Sequence, residues 1–153
     1  AYASGVPMGG NLAGDASQAP PRFYVSAAKD PGLPGNSGTD LQRIQVVKGW
    51  VDAEGVVSER VFDVAGDPGN GAGVDPETCA RSGRGAASLC AVFEDPDFEA
   101  SQPAFYYARI LENPTCRWST WDAIRVGIEP NPDLQKTVQE RAWSSPIWYQ
   151  PSE

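Results

Sequence analysis

Residues 104–112 read AFYYARILE. In an extended chain Phe105, Tyr107, Arg109 and Leu111 face one way, and Tyr106, Ala108 and Ile110 the other. Large apolar groups on both faces suit a central strand covered from both sides. Upstream, LQRIQVVKGWV at 41–51 sets Ile44 and Val46 against Arg43, Gln45 and Lys48. That is the pattern of a half-buried strand, with Gly49 a candidate bulge. DAEG at 52–55 then reads as a hairpin turn, and VVSERVFDV at 56–64 as the returning strand.

Further out, FYVSAA at 23–28 and residues 86–93 are β-branched or aromatic enough for strands. AWSSPIWY at 142–149 reads as another, with Pro146 placing it at an edge or a bulge. Turn residues fill 30–40, 65–85 and the acidic stretch 94–103. Helical signals are short: 119–126 with Ser119 as N-cap, a segment opened by Pro132, and one turn from Pro76 capped by Asp75. Residues 1–22 are small, Gly/Pro-rich and without period, so they read as an extended arm. The expectation is a mainly β protein: an antiparallel β-sandwich, immunoglobulin- or jelly-roll-like, spanning 23–153, with long loops and one or two short helices.

Composition agrees. At 153 residues one domain is expected, and 16 Gly with 14 Pro are too much punctuation for long helices. Leu, Ile, Val and Phe number only 29, and five Trp with five Tyr supply the missing apolar area. A net charge of −8 argues against nucleic acid and anionic membrane surfaces, and no apolar run approaches membrane-spanning length. Ala1 follows neither an initiating Met nor a signal pattern, and is expected to be the edge of a processed chain or of a fragment. Histidine is absent. That removes Ser-His and Cys-His dyads, imidazole zinc sites and imidazole general bases, and no C-x₂-C pair stands in as a zinc motif. No cofactor or metal site is expected.

Four features could still carry chemistry. Cys79 and Cys90, with ten residues between them, are expected to form a disulfide worth roughly 3 kcal/mol, against the alternative of two buried thiols. Cys116 is then left over, as a buried small hydrophobe or the partner of a cysteine elsewhere. Asp67, Asn70 and Asp75 have the composition of a calcium loop without EF-hand spacing, and Asx and Gly turns explain them equally. Glu94, Asp95, Asp97 and Glu99 could pair as catalytic carboxylates, but four like charges in one turn read better as a solvated loop. Trp118, Trp121, Trp143, Trp148 and Tyr149 invite a sugar-stacking surface, against the plainer reading that they fill the core of a leucine-poor protein.

LQRIQVVKGWVD, VFEDPDFEASQPAFYYARILENPTCRWSTWDA and QERAWSSPIWY, with PMGGNL at 7–12, resemble the C-terminal region of a bacterial family, domain of unknown function 3604. Its members are several times longer, and their N-terminal part resembles the polymerase-and-histidinol-phosphatase-like metal hydrolases. None of the parent's His-rich motifs has a counterpart here, so no catalytic residue carries over. The resemblance implies a non-catalytic β-rich accessory domain that packs on or gates an upstream metallohydrolase-like domain. It also implies an exported, periplasmic or secreted parent, and a sandwich that lacks an edge strand or borrows one from another copy. Arg117 and Trp118 are the candidates to reach a shared cleft. The alternative is an independent carbohydrate-binding module using Trp118 and Trp121.

Overall fold

The computed structural model describes residues 5–14 and 19–152 of the chain. Its strands are β1 (Asn11–Gly14), β2 (Arg22–Ala28), β3 (Leu41–Val51), β4 (Val57–Gly66), β5 (Gly73–Val74), β6 (Arg81–Ser82), β7 (Ser88–Glu94), β8 (Ala104–Glu112) and β9 (Thr115–Cys116). The helix α1 (Trp118–Val126) follows, then β10 (Thr137–Val138), β11 (Arg141–Trp143) and β12 (Ile147–Pro151). The chain is mainly β and sandwich-like. A six-stranded sheet runs β1-β12-β8-β3-β4, with β11 also on β8, and the two-stranded ribbon β2-β7 covers one of its faces.

β8 is central, as its two-sided pattern requires. One edge pairs antiparallel with β3 along nearly its whole length, and the other is shared by β11 and β12. The expected strand 142–149 is thus two strands. Pro146 has no N–H to donate, and Ser144 bridges the gap: its N–H donates to the Ala108 carbonyl and its Oγ accepts from the Ala108 N–H. Leu12 of the expected arm lies in β1, which pairs parallel with β12, an exception to the antiparallel rule of this sheet.

β3 carries its extra residue at Gln42, against β8, and the second register shift, between Ile44 and Gln45, leaves Val64 of β4 unpaired; neither falls at Gly49. Gly49 serves a different end: it lies opposite Phe105, whose ring occupies the space a β-carbon would need. Along β2 and β7 the alternation is clean. Phe23 and Phe93 point into the core, where Phe23 stacks 4.5 Å from Tyr106 and Phe93 4.9 Å from Phe62, while Tyr24, Cys90 and Val92 point out. Val46, Ala104 and Tyr149 complete the core, and Phe98 meets Tyr149 edge-on at 5.0 Å.

Two helix expectations need correction. α1 starts at Trp118, with Arg117 as its N-cap and no side-chain cap. Its first turn is tied instead to the Lys136 carbonyl, which accepts from the Arg117 N–H and the Thr120 hydroxyl. The segment opened by Pro132 is no helix. Asn131 closes an Asx turn on Asp133, and Thr137–Val138 is drawn into pairing with β9.

Candidate functional site

Two polar constellations stand out, one sealed and one open. The sealed one lies in the core. Lys48 and Asp95 are 2 % and 1 % exposed, and their charged atoms are 2.6 Å apart. The Tyr106 hydroxyl donates to the same carboxylate oxygen at 2.8 Å, and the Asp97 N–H donates to the other at 2.9 Å. Lys48 also donates to the Asp97 carbonyl at 2.7 Å and lies over the rings of Trp50 and Tyr106. Burial, and next the bond to Asp95, push the Tyr106 phenol well above its ordinary range. Every charge is matched and no solvent reaches it, so the arrangement is structural. Two expectations fall here. Asp95 is not part of a solvated acidic turn, and Lys48 is not on a wet strand face: β3 is buried on both faces instead of one, and Lys48 lies on the face that meets Asp95.

The open constellation lies at the end of the sheet where β3 begins and β8 ends. The 29–40 loop, β6 with Gly83, and residues 113–114 line a cleft of about 230 Å³. Lys29 and Asp40 form an ion pair at 2.6 Å on one side, with Ser37 within 3.3 Å of the Lys29 ammonium. Arg81, Ser82 and Gly83 form the facing wall, and Asn113 closes it. Behind it, Asn70 donates to the Asn113 side-chain oxygen and to the Arg84 carbonyl, and accepts from the Ala72 N–H, holding the 67–85 excursion onto the sheet. Asp67 and Asp75 close Asx turns on Gly69 and Glu77, so both carboxylates act in local turns. The Glu77 N–H, and next the Thr78 hydroxyl, hold the Asp75 carboxyl below its ordinary range.

Glu112 borders the cleft. Burial, and next the neighbouring Glu140, raise its carboxyl above the ordinary range, with Arg81 and the Thr39 hydroxyl pulling the other way. Between its unfolded and its raised folded pKa, the folded chain holds more protons than the unfolded chain, so stability falls as pH rises through that window. Glu112→Gln is therefore expected to raise the melting temperature at pH 7, with the gain vanishing below about pH 4, where the acid is neutral in both states. An equal gain at both values would refute this account.

The disulfide joins Cys79 to Cys116, not to Cys90. Strand alternation is the reason: Cys90 shares the outward face of β7 with Val92 and is a free, exposed thiol, while Cys79 and Cys116 are both buried. The bridge anchors the loop that leads into the Arg81–Gly83 wall.

The expected ligand surface is partly assembled. Trp118 and Trp121 are both exposed on α1, with the Arg125 guanidinium 5.8 Å from the Trp121 ring. Arg117 stands just before them, its Nε buried without a hydrogen-bond partner. The core-filling reading of these indoles does not hold. Trp118 is 69 % exposed, Trp143 59 %, Trp148 46 % and Trp121 37 %. Of the aromatic set named above, Tyr149 alone is buried. Lys29, Asp40, Arg81, Ser82 and Asn113 have no local signature in the sequence, and loop closure alone brings them together. Among the described residues, no group of three or more Cys, Asp or Glu side chains is placed to hold a metal ion.

Comparison with curated proteins and with solved structures found no match. The family model described as protein of unknown function, DUF3604, matches residues 1–151, and the chain belongs to that family.

Proposed function

We propose that the chain is a non-catalytic accessory domain that packs on or gates a metal-dependent hydrolase domain upstream in the same protein, outside the cytoplasm. The observation that carries this reading is the exposure of four of its five tryptophans. Indole is among the most costly side chains to leave in water, and partner surfaces are enriched in it. The exposed indoles fall on two surfaces. Trp118 and Trp121 lie on α1, which buries only Thr120 and Ala123. Trp143 and Trp148 lie on the sheet face opposite the ribbon, beside Phe105, which contacts Trp148 at 5.4 Å and stacks on Tyr107 at 6.3 Å. A disulfide fits an oxidising compartment, and no described helix is long and apolar enough to cross a membrane.

The test is calorimetry of this chain against the separately expressed upstream region, with phosphoester hydrolysis followed in the same samples. Association that changes turnover, weakened at least tenfold by Trp118→Ala or Trp148→Ala without loss of stability, is the expected result. Absence of association by the wild-type chain would refute the reading. Arg117→Ala is expected to lower the parent's turnover while leaving the melting temperature unchanged, and an unchanged rate would remove Arg117 from that role. The i, i+3 pair Trp118 and Trp121 favours a second reading, an independent carbohydrate-binding module, which predicts quenching of tryptophan fluorescence by neutral oligosaccharides.

A further inference from the structure

We propose that the loop cleft between Lys29 and Arg81 is a binding site for a small oxyanion, a carboxylate or sulfate group carried by a molecule no larger than one sugar ring. The inference does not depend on the accessory role. It follows from which hydrogen-bonding groups in the cleft are already used. The Asp40 carboxylate is engaged by the Lys29 ammonium, and Glu112 by the Thr39 hydroxyl. The groups left over are mostly donors. Arg81 makes no ion pair or hydrogen bond among the described residues, although the Glu112 carboxyl lies within electrostatic reach of it. The Ser82 hydroxyl is likewise unused. Asn113 spends its side-chain oxygen on Asn70 and keeps both amide hydrogens.

Guanidinium, hydroxyl and primary amide lining one small concavity form an acceptor-seeking surface, and the planar fork of arginine matches a carboxylate or sulfate edge in two parallel bonds. The cleft volume of about 230 Å³ matches such a group on a single ring and is small for a polymer segment. The net charge of −8 does not override this, because salt screens charges beyond about 8 Å and the nearest groups dominate. The wall is also held in place. Asn70 ties the Arg84 carbonyl to Asn113, and the Cys79–Cys116 bridge fixes the chain two residues before Arg81.

The experiment is a titration of the full chain with glucuronate, inorganic sulfate and glucose, followed by the backbone amides of Ser82 and Gly83 and the side-chain amide of Asn113 in nuclear magnetic resonance spectra. Saturable shifts with glucuronate or sulfate are expected, with a Kd on the order of 1 mM. Arg81→Ala, at an exposed position, is expected to weaken binding about tenfold or more with an unchanged melting temperature. Glucuronate and sulfate binding alike would mean that the oxyanion alone is read, and glucuronate binding alone would identify a sugar acid. Glucose binding as well as glucuronate, no saturable shift with either anion, or full binding by the Arg81→Ala chain would each overturn the proposal.

Discussion

Asp95→Ala is expected to lower the free energy of unfolding by about 3–5 kcal/mol, close to the whole stability of a marginal domain. The side chain is the counter-ion of Lys48 and the acceptor for Tyr106 and the Asp97 N–H, all within 2.9 Å. Removing it strands a buried ammonium whose remaining partners are one carbonyl and two ring faces. The pair itself is not a large net source of stability, because desolvating both ions offsets most of their attraction. A triple replacement, Lys48→Met with Asp95→Leu and Tyr106→Phe, is therefore expected to recover a good part of what Asp95→Ala loses. Tyr106→Phe alone removes one donor from a carboxylate that keeps its ammonium, and is expected to cost about 1–2 kcal/mol. Urea denaturation of the four chains measures all of this. A loss under about 1 kcal/mol for Asp95→Ala would mean that water reaches Lys48 and that the centre is not sealed.

Loss of the Cys79–Cys116 bridge is the second large effect. The cysteines are 37 residues apart, and closing a loop of that size in the unfolded chain is worth about 4 kcal/mol on the chain-entropy model. The Cys79→Ala, Cys116→Ala chain is expected to unfold that much more easily, whereas Cys90→Ala changes stability little, since Cys90 is an exposed free thiol. Thiol titration in denaturant without reductant should find one reactive cysteine, rising to three after reduction. Protection of Cys90 instead of Cys116 would overturn the pairing. Because the bridge anchors the chain that leads to Arg81, its reduction is also expected to broaden the Ser82 and Gly83 signals.

How much of this was legible in the sequence depended on whether the cause was local. β3 and β8 occupy the ranges their side-chain alternation predicts, and the 52–55 turn joins β3 to β4, because period-two patterning and turn chemistry act within a few residues. The Asx turns at Asp67 and Asp75 were equally readable. Helix capping was not: Ser119 looks like the better cap, but the carbonyl that anchors α1 belongs to Lys136, on a segment that arrives later in the chain.

Charge was the least legible property. On composition alone Lys48 belongs to a wet strand face and Asp95 to an acidic turn; each is buried because the other is, across 47 positions of chain. The same holds for Cys79, whose partner is set by the fold and not by the nearer cysteine, and for Arg81, whose neighbours across the cleft come from distant loops. By itself the sequence determined the period of its strands, the sites of its turns, and the absence of histidine chemistry. Tertiary structure alone decided which charges are dry, which thiols meet and which tryptophans face water, because those outcomes are properties of pairs that only chain closure brings within a few ångströms.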